Sequence, residues 1–155
     1  MKYTRLSKEQ FEELHQEFIN FLATQSITAD EWEKIKTEKP EVAEQELDVF
    51  SDLVWEGVLT QAKYLENISP QHMYLFHLAE DQIELIGLKL NNDIDLTTRE
   101  GFSWLRENLM SDEVELFNAK KDYSEDKQLN KFELIQQGSM ITKGDLFKYF
   151  DKLIG

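Results

Sequence analysis

The chain has no cysteine. Disulfides, zinc–thiolate sites, iron–sulfur clusters and thiol nucleophiles are thereby excluded. Proline occurs twice and glycine six times in 155 residues, so tight turns are few and long regular elements, chiefly helices, are expected. Positive charge is scarce: 17 Lys and Arg stand against 31 Asp and Glu, a net charge of −14. Such a surface repels phosphate backbones and anionic lipid. It argues against direct binding of nucleic acid or membrane and favours a basic protein as partner, or simply solubility. No apolar run approaches the length of a membrane span, and the opening MKYTRLSKEQ lacks the apolar core of a signal peptide. The expected location is cytoplasmic, which makes the Asn67-Ile68-Ser69 sequon a coincidence.

Apolar residues, by contrast, are plentiful. They make up 41% of the chain and include ten Phe, five Tyr and three Trp, enough to build a core and too many for a disordered chain. The length suits a single domain over residues 1–155. Acid is concentrated early: residues 1–66 carry 15 acidic and 7 basic groups, residues 111–155 only 9 and 7.

Local signals predict mostly helix. Ser7-Lys8-Glu9-Gln10 has capping-box spacing ahead of an apolar stripe (Phe11, Leu14, Phe18, Leu22), which predicts a helix over about 8–24. Thr28-Ala29-Asp30-Glu31 opens a second, to about Lys39. Pro40 suits the first position of a third, running to about Leu65. On that third helix Val42, Val49 and Leu53 form one apolar group and Leu47, Phe50, Val54 and Val58 another. Together they cover a broad arc, which predicts packing on more than one neighbour. The period then changes: residues 72–90 hold two aromatic and β-branched runs around Glu80-Asp81-Gln82, a β-hairpin with neither face fully polar. Helices are expected to resume after Thr97 or Thr98, from Ser111 (through Val114, Leu116 and Phe117), over about 125–137 with a stop at Gly138, and from Thr142 to the end. The expected fold is mainly α (α+β), a multi-helix single domain with one central antiparallel hairpin. If the hairpin's second face stays uncovered, two copies could join sheets, so monomer and homodimer are both open.

Chemistry-bearing motifs are few. Glu12-x-x-His15 has the spacing of half a di-metal site, but residues 69 and 74, three before His72 and His77, are Ser and Tyr, so no second half exists. His72 and His77 fall at odd separation in one strand and point to opposite faces. There is no glycine-rich phosphate loop and no nucleophile elbow around Ser103. Asp93-Ile94-Asp95 resembles the start of a calcium loop, but the sixth place lacks glycine and the twelfth is Trp104. No catalytic set and no cofactor are predicted.

One arrangement stands out. Glu44, Asp48, Asp52 and Glu56 follow one another at i,i+4 on the third helix, and residues 40–62 contain no Lys or Arg. Like charges at that spacing oppose the helix by about 0.2–0.5 kcal/mol per pair. Three readings compete for this ridge beside Trp55: a solvated face neutralised by the chain's own Lys120, Lys121, Lys127 and Lys131; a docking surface for a basic partner with Trp55 or Trp32 as anchor; or a divalent-cation site.

In FINFLATQSITADEWEKIK and KPEVAEQELDVFSDLVWEGVL the chain resembles a family of small acidic bacterial proteins of unknown function, a conserved-hypothetical type. That resemblance implies no catalytic or ligand residues. The leading functional expectation is a non-enzymatic interaction or regulatory protein that docks a partner through Glu44, Asp48, Asp52, Glu56 and Trp55, or through the hairpin edge. The alternatives are a hydrolase or metal-binding protein holding a divalent cation on carboxylates, and a nucleic-acid mimic or inhibitor of a basic protein.

Overall fold

A computed structural model describes residues 1–154. The chain is organised as two compact units, Met1–Thr60 and a second from Gln61 onward. Among the described residues they hold seven helices and a five-stranded antiparallel sheet, an α+β fold.

The first unit is helical: α1 (Lys8–Glu13), α2 (His15–Thr24), α3 (Ala29–Glu38) and α4 (Pro40–Gln61). Its starts follow the cap signals. Ser7 Oγ accepts from Gln10 N–H while the Gln10 side chain accepts from Ser7 N–H, the reciprocal capping box. Thr28 caps α3 by accepting from Glu31 N–H. The single helix expected over 8–24 is bent at Leu14. The hydrogen-bond ladder runs through the bend, since Leu14 N–H reaches Gln10 O and Phe18 N–H reaches Leu14 O, both at 2.9 Å. Leu6, Phe18, Leu22 and Phe50 form the buried centre, with Phe11, Phe21, Trp32, Leu47 and Trp55 packed on it.

The second unit corrects the expectation of one central hairpin. The hairpin exists as β2 (His72–Leu78) and β3 (Gln82–Leu90), but it lies inside a larger sheet with β1 (Tyr64–Ser69), β4 (Val114–Asp122) and β5 (Met140–Thr142), in the order β4-β3-β2-β1-β5. A two-stranded ribbon is marginal in water, and the added strands give the hairpin hydrogen-bonding neighbours on both sides. The helix expected from Ser111 is instead the edge strand β4, and the third helix ends at Gln61 rather than near Leu65.

Strand registers place the side chains. Met73, Leu75, Ile86, Leu88 and Leu90 share one face with α5 (Arg99–Glu107) and α7 (Asp145–Ile154), through Phe102, Leu105, Phe147 and Phe150. Phe76, Leu78 and Ile83 share the other with α6 (Lys127–Gln136), through Leu134 and Ile135. The hairpin's second face is thus partly covered from within the unit. Thr98 caps α5 by accepting from Gly101 N–H, and Gly138, at φ +111°, closes α6 in the left-handed region.

Candidate functional site

The acid ridge is built on α4, whose 22 residues begin at Pro40. Leu47, Phe50, Val54 and Trp55 turn to the core of the first unit. The four acids climb beside this face, drifting by roughly 40° per step because four residues turn about 400° at 3.6 per turn.

Residues 2–6 lie along that ridge, running opposite to α4. Asp52 accepts two backbone N–H groups, from Lys2 at 2.7 Å and from Tyr3 at 2.9 Å. One turn earlier Asp48 accepts from Arg5 Nε at 2.6 Å. One turn later Glu56 accepts the Tyr3 hydroxyl at 2.5 Å and has Lys2 Nζ at 3.7 Å. Leu6 N–H donates to the hydroxyl of Ser51, which is fully buried and itself donates to Leu47 O. Tyr3 and Leu6 are buried, so the segment is anchored by apolar contact as well as by charge.

The ionisable groups register this contact. Burial, then the bond to Glu56, pushes the Tyr3 phenol up to about 12. The bond to Asp48 raises the Arg5 guanidinium further above its ordinary value. Three of the four predicted acids therefore meet the chain's own basic segment, while Glu44 stays exposed. Of the lysines suggested as neutralisers, Lys127 donates from Nζ to Glu80 O and Lys131 from Nζ to Ala62 O. Trp55 and Trp32 are half-buried, both packed on the aromatic centre, and Trp32 meets Phe18 edge-on at 5.2 Å.

The second apolar arc of α4 has a different fate. Val49 is 51% and Leu53 56% exposed, with half-buried Val42 on the same line within roughly 40°. The packing on more than one neighbour expected from the sequence is met on the other face, where Phe50 by itself meets rings of α1 and α2. The arc of Val49 and Leu53 faces outward.

The remaining candidates are separated. Glu12 and His15 fall on either side of the bend and are both exposed. His72 stacks near Tyr74, while His77 stacks on Tyr64 at 4.8 Å and faces Glu84 at 3.4 Å, on the opposite side of the sheet. Asp95 turns back on its own chain, accepting from the Thr97 hydroxyl and N–H, bonds that hold its carboxyl below the usual range. Among the described residues no three His, Asp or Glu side chains gather as a metal-ligand set. Among the described residues, one shallow apolar cavity of about 320 Å³ lies between α2 and α3 and another of about 330 Å³ lies over Phe76, Ile83, Leu85 and Ala119. No helix among the described residues is long and apolar enough to cross a membrane.

A family described as "Family of unknown function (DUF6495)" matches residues 1–155. The chain belongs to this family. Comparison with curated proteins and with solved structures gave no match. Membership in this family brings no residue roles with it, so the function has to be argued from α4 itself.

The residues that sequence reasoning missed are Lys2, Tyr3, Arg5 and Ser51. Their partners lie 43 to 54 positions away for the first three and 45 for Ser51 with Leu6. No local pattern reports contacts at such separation. The one available hint was the absence of any Lys or Arg on α4, which left its acids in need of cations from elsewhere.

Proposed function

We propose that the protein is a non-enzymatic interaction module and that α4 is its docking element. The observation that carries this reading is the open arc: Val49 and Leu53, half exposed or more in the middle of a long helix whose opposite side is packed. Isolated exposed aliphatics are ordinary, but a line of them on one rigid helix offers a groove-filling partner a continuous apolar contact. The acid ridge borders this line, with Glu44 exposed at one end. A partner of matching chemistry is an amphipathic segment with aliphatic side chains in one row and Lys or Arg in the next. The chain's own residues 2–6, basic and aromatic, illustrate what the acids accept.

The test uses the open arc, because reversing Asp52 would also unseat residues 2–6. Val49→Arg and Leu53→Arg should fold normally and should lose a partner that the unaltered protein retains from lysate, by about tenfold or more. Retention should weaken in high salt, since charge guides the contact. If nothing is retained at low ionic strength, or if both variants retain the same partner as well as the parent, α4 is not the docking element.

A further inference from the structure

The two edges of the sheet are built differently. β5 is three residues long. β4 is nine residues long, has β3 as its one neighbouring strand among the described residues, and is exposed from Glu115 to Asp122. An open edge of about 30 Å, at roughly 3.3 Å per residue, presents a row of backbone donors and acceptors to any strand that fits. Natural edges of this length are commonly shortened, bulged or broken by proline. β4 has no proline and pairs with β3 residue for residue over its whole length. It also carries the exposed apolar side chains of Leu116 and Phe117.

We propose that β4 pairs with β4 of a second copy, antiparallel and about a two-fold axis at Asn118, to give one continuous ten-stranded sheet. The choice of occupant rests on the order of residues along the strand. In an antiparallel pair, residues whose backbone groups point outward must face one another, so the two opposed residue numbers sum to an even value. A sum of 236 overlaps all nine residues, from Val114 opposite Asp122 to the reverse. In that register Glu115 lies opposite Lys121 of the second copy, twice by symmetry. Phe117 lies opposite Ala119, Leu116 lies against the aliphatic stem of Lys120, and no like charges meet. Shifting by two residues either way breaks both Glu–Lys pairs and leaves Glu115 or Lys121 facing an apolar residue. Charge and shape therefore select a single register.

This pairing also extends an apolar row. Phe76, Leu85 and Ala119 lie side by side across one face of the sheet and floor the cavity of about 330 Å³. In the proposed register the next residue in that row is Phe117 of the second copy, so the apolar row continues across the seam. Each Phe117 is itself placed by its own chain. Its ring lies over Gly87, so closely that a Cβ at Gly87 would clash with it, an aromatic ring covering a strand glycine.

The experiment is the mass of the full chain in solution, by sedimentation against concentration at about 0.15 M ionic strength, where charges beyond roughly 8 Å are screened. A dimer is expected. Lys121→Glu should set Glu115 against a second carboxylate twice and weaken the dimer by about tenfold or more. Combining Glu115→Lys with Lys121→Glu should restore it. Because the chain has no cysteine, Asn118→Cys should cross-link to itself under mild oxidation, as opposed strand residues lie about 4.5–5.5 Å apart and disulfides span that distance. Leu116→Cys, which faces Lys120, should not. A monomer at every concentration would overturn the proposal, as would a dimer indifferent to the charge changes, which would form through another surface.

Discussion

The two units are packed from different material. The first closes around rings: Phe50 lies 5.9, 5.1 and 5.4 Å from the rings of Phe11, Phe18 and Phe21. The second closes around aliphatic side chains that the sheet aligns, such as Leu75, Ile86 and Leu88, under α5 and α7. Helices lack a ladder that joins them to one another, so the first unit depends on large, stiff side chains to set the angles between its elements. In the sheet, backbone pairing already sets the geometry, and modest side chains suffice to fill the space. The comparison teaches where each half is fragile: at a few rings in one, along a spread of leucines in the other.

The contrast can be broken by mutation. Phe50→Ala removes three ring contacts and leaves a large void. It should cost about 3–5 kcal/mol, and Leu75→Ala about 2–5 kcal/mol. Denaturant midpoints for the two variants check this order, and a smaller loss at Phe50 would show that the aromatic cluster collapses to fill its own gap. Ser51→Ala comes next. It deprives the buried Leu6 N–H of its acceptor, and an unsatisfied group of that kind costs about 1–3 kcal/mol. Faster hydrogen exchange over residues 2–6 is the direct readout.

The smallest effect belongs to the sheet. Burial raises the Glu66 carboxyl above its ordinary 4.5, outweighing the bond to Thr142, and Asp145 adds to the rise. A carboxyl raised on folding binds its proton more tightly when folded. Its favourable contribution is therefore full below 4.5 and is lost as pH climbs through the raised value. Glu66→Gln should match the parent near pH 4 and be slightly more stable at pH 7, in thermal melts run at both.

What could be read in the sequence follows the same division. The helices of the first unit announce themselves through neighbours in the chain: Ser7 and Thr28 as caps, Pro40 as a start, and apolar side chains three and four apart. The sheet was legible only where a strand is buried, in residues 72–90. β4 has no buried face, and its adjacent Leu116 and Phe117 point to opposite sides, so no alternation survives to be seen. β1 follows α4 with no glycine or proline stop and carries Glu66 and Asn67 at its middle; β5 is too short to show a period. On the candidate site, the acids and both apolar arcs of α4 were visible. That residues 2–6 would cover three of the acids, and that nothing in the first unit would cover Val49 and Leu53, depended on how distant segments meet.

The mooring of residues 2–6 sets an order of events at birth. These residues leave the ribosome some 50 positions before Asp52, the side chain that holds their amides. At ordinary rates of about 5–20 residues per second, they wait roughly 2–10 seconds with Tyr3 and Leu6 uncovered. Within the first unit, residues 2–6 thus cannot find their place until α4, its last helix, has been made.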